Sequence, residues 1–186
     1  MSVALYRCGE DVSGFCIGKF GDTRLAKVGA LLFKRVFEKM SICIKTLAGN
    51  RATEVAFGRF LDNENVEPDL ISTELSHKTN EACRGKLHVL CLQDTVQLTY
   101  PTQSSKKKQF GSTSDSHTKG LFVHPGIIVD ASNRDVLGLS SIMSWCRDEQ
   151  VLKQAKRDRP IEEKESIRWI NIALMAKQNI SHAATI

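Results

Sequence analysis

The sequence contains no run of apolar residues that approaches the ~20 needed to cross a membrane. Its first residues also lack a charged segment followed by an apolar one, which is the pattern of a secretory signal. A membrane-spanning segment and a secretory leader are therefore not expected. We expect a soluble protein of the cytoplasm that has no membrane partner.

Metal-binding cysteine spacings are absent as well. The six cysteines form no Cys-x-x-Cys pair, and no His-x-x-x-His segment accompanies them. Two of them lie in the apolar runs 42–44 and 90–92, where a free thiol behaves as a small buried hydrophobe. The pattern favours reduced thiols in a cytosolic protein over a disulfide framework or a structural zinc site.

Excess positive charge is confined to the first third of the chain. Residues 1–61 contain 10 Lys and Arg against 5 Asp and Glu, a net charge of +5, whereas residues 62–186 contain 16 of each. Such an asymmetry predicts contact with a polyanion, because neutralised phosphates release counterions and supply much of the affinity for DNA. A basic helical surface that is only solvated explains the same charge, and both interpretations stay open here.

Helical periodicity dominates the first part of the chain. Asp22 is placed to cap a helix over residues 21–40, and Asn50 is placed to cap another over residues 50–63. A third helix is predicted over residues 67–83. In the second helix, the residues expected to face inward are Val55, Ala56 and Phe60 or Leu61.

Beyond residue 86 the pattern becomes that of strands, over residues 87–99, 120–130 and 135–145, and then of a helix over residues 161–177. This order predicts an α+β fold with a boundary near residues 80–86. A helix after three strands ordinarily leads to a fourth strand, so we expect apolar surface to remain exposed on the third strand or the last helix. The last helix is expected to bury Ile167, Ile170 and Leu174, with Trp169 as a further candidate.

Asp94 is unusual because it lies among β-branched and apolar residues in the first predicted strand. A carboxylate in a sheet is costly unless it is paired, hydrogen-bonded or bound to a metal. A hydrogen bond from Thr95 or a backbone amide at a strand end would satisfy it. From the residues alone this hydrogen bond is the favoured explanation, and a bound cation is the alternative.

Several segments occur in the order found in one family of enzymes: FGDTRLAK, GNRATEVAFGRFLDN, LQDTVQLTY, TKGLFVHPGIIVD with DVLGLSSIMSWCR, and EEKESIRW. Together they resemble the bacterial insertion-sequence transposases of the Asp-Asp-Glu class, in the branch of the kanamycin-resistance composite transposon enzyme. The resemblance extends from about residue 15 to residue 177. One departure from the family is the lack of a tryptophan in the N-terminal segment.

The resemblance implies a helical DNA-binding domain over residues 1–80 and a ribonuclease-H-like catalytic core over residues 87–186, with three antiparallel strands and a helix. Asp94 matches the first catalytic carboxylate of the family and is the expected Mg²⁺ ligand. Family members use two such ions, ~3.5 to 4 Å apart, to activate the attacking oxygen and stabilise the leaving one. The second Asp and the Glu of the family have no matching position, so we expect an incomplete core that does not cleave DNA by itself.

Other carboxylates are poorer candidates. Asp130 and Asp135 flank a predicted hairpin turn, and Glu165 lies beside Lys164 and Arg168 in a helix. His124 alternates with apolar residues, as a satisfied core histidine would.

Basic residues in the first domain are the expected DNA contacts, although Arg59 could instead pack its stem against the core between Phe57 and Phe60. The Lys106–Lys108 run lies in a polar loop that the family places near bound DNA. The residues expected to bind DNA are Arg24, Lys27, Lys34, Arg35, Lys45, Arg51 and Arg59.

The expected function is that of a transposase-derived protein that binds double-stranded DNA at transposon ends. Its ancestral activity would be Mg²⁺-dependent cut-and-paste strand cleavage and joining. A second hypothesis is a truncated regulator that occupies the ends or pairs with a full-length transposase. A third is a fragment without function.

Overall fold

A computed structural model of the chain describes residues 17–100, 110–113, 118–147, 160, 162, 164–183 and 185–186. The chain divides into two compact units between Lys78 and Thr79. Unit 1 is helical, whereas unit 2 contains a sheet and a packed helix. The α+β class predicted from the sequence is therefore confirmed. None of the helices in these ranges is both long enough and apolar enough to cross a membrane.

Unit 1 is built from α1 (Thr23–Lys39), α2 (Ile44–Ala48), α3 (Arg51–Leu61) and most of α4 (Pro68–Ala82). Three of its helices, α1, α3 and α4, begin where the sequence predicts. The Asp22 carboxylate accepts a hydrogen bond from the Arg24 backbone N–H at 2.7 Å. The Asn50 side chain accepts one from the Thr53 N–H at 2.9 Å. Short polar side chains stabilise helix starts in this way because the first N–H groups lack partners inside the helix.

The core of unit 1 centres on Phe57 and Phe60 of α3, which are fully buried. The Phe60 ring meets the Phe20 ring edge to face, with 5.5 Å between the ring centroids. Leu32 of α1 and Leu47 of α2 complete this core. Three helices are thereby held together around two aromatic side chains of α3.

The prediction of which residues of α3 face inward is partly wrong. Val55 and Leu61 are exposed, and Phe57, which was not expected in the core, is buried with Phe60. Two large aromatic side chains three positions apart bury more apolar area than Val55 and Leu61, so they determine how α3 is rotated. The short α2 also escaped prediction, because its 5 residues give too little sequence for a periodic pattern.

In unit 2, every strand pairs with one long central strand. The strands are β1 (Val89–Gln93), β2 (Val96–Tyr100), β3 (Gly111–Ser112), β4 (Lys119–Asp130) and β5 (Val136–Trp145), and all pairings with β4 are antiparallel. β1 and β2 follow one edge of β4. β5 and the short β3 follow the other edge.

The first predicted strand is interrupted at Asp94 and Thr95. β1 and β2 nevertheless keep one register against β4, with Gln93 opposite Gly126 and Val96 opposite Val123. Continuing this register places Asp94 opposite Pro125. Proline has no N–H to donate to the ladder, which gives the interruption a simple physical cause.

The last helix, α5 (Ile167–Asn179), packs on the sheet with a different side from the one expected. Ile172 and Ala176 are fully buried, whereas Ile170 and Leu174 are 48% and 54% exposed and Trp169 is also exposed. The cause is Gly126, where an added Cβ would lie 2.9 Å from the Ile172 Cγ2. The missing side chain lets Ile172 approach the strand closely. The expected exposure of apolar surface on the last helix is thus confirmed.

Two helical glycines of unit 1 offer a test of this packing. An added Cβ at Gly58 would meet nothing within 4 Å, whereas at Gly29 it would lie 2.8 Å from both the Ile17 Cδ1 and the Phe60 Cζ. We expect Gly58→Ala to raise the free energy of unfolding by roughly 0.5–1 kcal/mol, because alanine loses less backbone entropy in a helix. Gly29→Ala should lower it by roughly 1–3 kcal/mol through overpacking.

Urea unfolding followed by helical circular dichroism measures both changes. Trp145 and Trp169, the 2 tryptophans of the chain, lie in unit 2, so their fluorescence follows unit 2 separately from the circular dichroism signal of the helices. Equal stabilisation by the two substitutions would contradict the packing described at Gly29.

Candidate functional site

One side of α1 is strongly basic. Lys27 and Lys34 lie on the side that faces away from the buried Gly29 and Leu32, and Arg24 and Arg35 lie beside them around the helix. Arg24, Lys27 and Lys34 are exposed, and Arg35 is half-buried. A row of cations with this geometry can follow a phosphate backbone.

Glu38 is the acidic residue within this row. Its carboxylate lies 3.7 Å from the Lys34 Nζ and 4.0 Å from the Arg35 Nε. Exposed pairs of this kind contribute little to stability and are screened by salt. They can therefore be exchanged for contacts with phosphate at small cost.

The remaining predicted DNA contacts, Lys45, Arg51 and Arg59, lie on α2 and α3 and are exposed. The Arg51 Nη1 lies 3.2 Å from the Glu54 carboxylate, in a pair whose arginine is 81% exposed. Arg59 stands out on the surface, so the alternative in which it packs against the core is not the one adopted. All the predicted DNA contacts thus lie on the surface of unit 1.

The turn before α3 is held by a lysine that was not among the predicted contacts. The Lys39 Nζ donates a hydrogen bond to the Thr46 carbonyl at 2.7 Å, which ties the end of α1 to α2. Gly49, with φ of +73°, then reverses the chain into α3. A short helix, a glycine turn and a longer helix follow one another in the order of a helix-turn-helix.

Asp94 lies on the face of the sheet that α5 leaves uncovered. Its carboxylate accepts a hydrogen bond from the Thr95 N–H at 2.7 Å. This is the strand-end arrangement, one of the two explanations that the sequence left open. Along the same face, Leu92 and Val96 flank it, and both are exposed.

These surroundings do not fit a two-metal centre. On the same face of the sheet the nearest side chains along the strand, Leu92 and Val96, are apolar. Asp130 belongs to the other face, five residues along β4 from Pro125, or ~17 Å. Among the residues that the structure describes, no group of three or more His, Cys, Asp or Glu is placed to hold a metal ion. Metal binding by Asp94 stays a prediction that rests on the family resemblance alone.

Asp130 and Asp135 shape the hairpin between β4 and β5. The Asp130 Oδ2 lies 2.7 Å from the Lys86 Nζ, and its Oδ1 accepts hydrogen bonds from the Ser132 N–H and hydroxyl. The Lys86 ammonium and these bonds lower the pKa of Asp130 to about 2. The Asp135 Oδ2 accepts from the Asn133 amide at 2.7 Å. Both carboxylates are therefore engaged in turn structure.

Glu165 joins two of the segments on which the family resemblance rests. It accepts two hydrogen bonds from Arg147, from Nε and from Nη2, each at 2.6 Å. The Trp145 indole N–H donates to the same carboxylate at 3.3 Å. Arg147 is the main cause of the lowered pKa of Glu165. The carboxylate links the end of β5 to the start of α5.

Two aromatic rings and two arginine side chains form a stack next to Glu165. The Phe122 and Trp145 rings lie parallel with 5.5 Å between centroids. The Arg147 guanidinium covers the outer face of Phe122 at 4.1 Å, and Arg168 covers Trp145 at 4.0 Å. Cations over aromatic faces are attracted by the ring quadrupole. The stack gives Trp145 and Arg147 a packing role.

His124 is completely buried between the sheet and α5. Its Nδ1 lies 2.7 Å from the Thr95 Oγ1, and its Nε2 lies 3.1 Å from the Gln93 Oε1. The Trp169 ring covers it edge to face at 4.7 Å. An amide oxygen can only accept, so Nε2 carries the proton and Nδ1 accepts from the Thr95 hydroxyl. The neutral imidazole therefore satisfies both ring nitrogens, as expected of a core histidine.

No model of a known protein family matches the chain.

The Lys106–Lys108 run lies outside the described residues.

Burial makes His124 a source of pH dependence. It lowers the pKa of His124 below its ordinary value of 6.5, outweighing the nearby Asp94 charge, while Arg168 lowers the pKa further. The unfolded chain then binds a proton that the folded chain does not. Stability contributed by the neutral histidine should be complete above about pH 7 and fall progressively as the pH drops below about 6.5.

Urea midpoints measured by tryptophan fluorescence from about pH 8 to about pH 5 test this expectation. The midpoint should fall less with acidification in His124→Gln than in the wild type. His88→Gln, at an exposed position of unit 2, provides the matched control, and its midpoint should fall as that of the wild type does. Identical slopes in all three proteins would show that His124 does not titrate on unfolding.

Proposed function

We propose that this chain is a transposase-related protein of the cytoplasm that binds double-stranded DNA through unit 1. The observation that carries the proposal is the basic side of α1, which lies opposite the buried side of the same helix. The ordered sequence segments add the family resemblance. Basic helices with exposed Arg and Lys are the usual footprint of a DNA-binding surface.

α1 and α3 have different roles in this proposal. Arg24, Lys27 and Lys34 of α1 contact phosphates, which fix position on the duplex but carry no sequence information. α3 follows the glycine turn and exposes Arg51 and Arg59 on either side of Val55, so it is the helix that reaches base edges in the major groove. An arginine there can bind a guanine with two hydrogen bonds.

Unit 2 contributes the second part of the proposal. Its antiparallel strands, with Asp94 directly after the first and a helix after the last, have the order that a ribonuclease-H-like core begins with. The DNA would then be transposon ends, and a full-length transposase would be a second partner. Occupation of the ends by this chain would make it a regulator of transposition.

Charge reversal on α1 tests DNA binding. The double variant Lys27→Glu/Lys34→Glu should weaken binding to duplexes of every sequence by on the order of tenfold or more, because two phosphate contacts become repulsive. The slope of log affinity against log salt concentration should fall by roughly 0.9 for each phosphate that is no longer neutralised. Fluorescence anisotropy with a labelled duplex, between about 50 and 200 mM salt, measures both quantities.

The control is Lys119→Glu/Lys164→Glu, which changes the charge equally but lies in unit 2. It should leave the affinity and the salt slope near those of the wild type. If the two double variants weaken binding equally, net charge rather than a surface on unit 1 drives binding.

Strand cleavage is a separate matter, because the side chains beside Asp94 are apolar. Incubation of a nickable duplex with the chain and Mg²⁺ or Mn²⁺ should leave both strands intact, and Asp94→Ala should behave identically while still binding DNA. Metal-dependent nicking that disappears in Asp94→Ala would show that residues beyond those described, or a second subunit, complete a catalytic site.

A further inference from the structure

The face of the sheet opposite α5 is a broad apolar surface. Along β1 and β2 it presents alternate side chains, and across β4 it continues through the odd-numbered residues 121–129. The large residues of its first row are exposed, Leu90 by 52% and Leu92 by 53%. An apolar surface of this extent usually marks a site of association. Its first row consists of Leu90, Leu92, Asp94, Val96, Leu98 and Tyr100.

A carboxylate lies in the middle of that first row. Asp94 has two large apolar neighbours on each side along the strand, at about 6.6 and 13 Å. Any partner that covers this face also covers Asp94, and a buried carboxylate without a cation is costly. The surface therefore selects an apolar partner that carries one positive charge.

α5 presents such a partner surface on its outer side. Ile170 and Leu174 lie one turn apart and are exposed, as are Ala173 and Lys177 on the same side. Lys177 follows Leu174 by ~4.5 Å and Ile170 by ~10.5 Å along the helix axis. The helix therefore offers a cation beside two exposed apolar side chains, which complements the carboxylate that lies between apolar side chains on the sheet.

We infer that two copies of this chain associate with the outer side of α5 of one copy lying on the uncovered sheet face of the other, and with Lys177 paired to Asp94. The inference concerns unit 2 alone and does not depend on DNA binding by unit 1. The two surfaces lie on opposite sides of the sheet-and-helix layer, so each copy can use both at once. Such a head-to-tail contact grows into a chain or ring rather than stopping at a twofold dimer.

Two other occupants fit less well. Duplex DNA fits this face less well, because the face is apolar and its central charge is negative. Two sheet faces packed on each other would have to neutralise each Asp94 with the partner's Lys119, the cation among the described residues of this face. Lys119 lies opposite Tyr100, six residues from Asp94 or ~20 Å, at the far end of the surface. Lys177, in contrast, lies on the same side of α5 as the apolar Ile170 and Leu174.

Charge exchange tests the contact in sedimentation velocity experiments over a range of protein concentrations. The wild type should associate increasingly with concentration. Asp94→Lys alone and Lys177→Glu alone should each raise the apparent dissociation constant by on the order of tenfold or more, because a like-charged pair would be buried. An equimolar mixture of the two variants should associate again, since every contact between unlike copies then joins opposite charges.

Lys119→Glu is the matched control and should leave association unchanged. Association that Lys119→Glu breaks and Lys177→Glu does not would favour sheet-to-sheet packing and overturn the inference. A wild type that stays monomeric up to its solubility limit would overturn it too, as would a variant mixture that does not associate. Circular dichroism of each variant, which should match that of the wild type, separates impaired association from impaired folding.

Discussion

The position of α5 on the sheet depends on the missing side chain at Gly126. With no Cβ there, Ile172 reaches the central strand, and an alanine at position 126 would bring two carbon atoms to 2.9 Å. Ile172 and Ala176 are then buried, and the Asn179 amide donates to the Ser140 carbonyl at 2.8 Å. This one close approach decides which side of the helix is covered. It leaves Ile170 and Leu174 exposed on the outer side, and it gives unit 2 a second apolar surface in addition to its uncovered sheet face.

Pro125, next to Gly126, affects the pairing of β4 with β1 and β2. Its missing N–H interrupts the ladder opposite Asp94, so that β1 and β2 are separate strands in one register. Alternation then sends Thr95 toward His124 and Asp94 toward the uncovered face. Thr95 consequently serves both sides, because its N–H holds the Asp94 carboxylate and its hydroxyl meets the buried imidazole. The residues Pro125 and Gly126 of β4 thus place a neutral polar network around His124 on the face under α5. They place the single charge of Asp94 among apolar side chains on the uncovered face.

Local chemistry in the sequence predicts much of this fold, and long-range geometry accounts for what it misses. The caps at Asp22 and Asn50 and the strands β4 and β5 follow from neighbouring residues alone, and the exposed apolar surface follows from the order of the predicted elements. The buried side of α5 does not, because that helix has one apolar pair on each side and periodicity cannot choose between them. His124 meets Thr95 and Gln93 across 29 and 31 residues of sequence, a contact that only strand register creates. For Asp94 the sequence offered a backbone hydrogen bond or a metal, and the structure shows the hydrogen bond while leaving its catalytic ancestry a proposal.

Charge and apolar surface are divided between the two units, and the division has a consequence for binding. The excess of positive charge lies in residues 1–61, whereas the uncovered sheet face and the outer side of α5 both lie in unit 2. The proposed phosphate-binding surface and the proposed surface for a second copy therefore do not share residues. In that arrangement, a copy associated with one already on DNA would meet the same duplex at a high effective concentration, so weak contacts of each kind would reinforce one another without any new interaction. Salt weakens the electrostatic contacts of unit 1 far more than apolar burial in unit 2. Raising the salt concentration should therefore separate the two, releasing DNA before it dissociates the copies from each other.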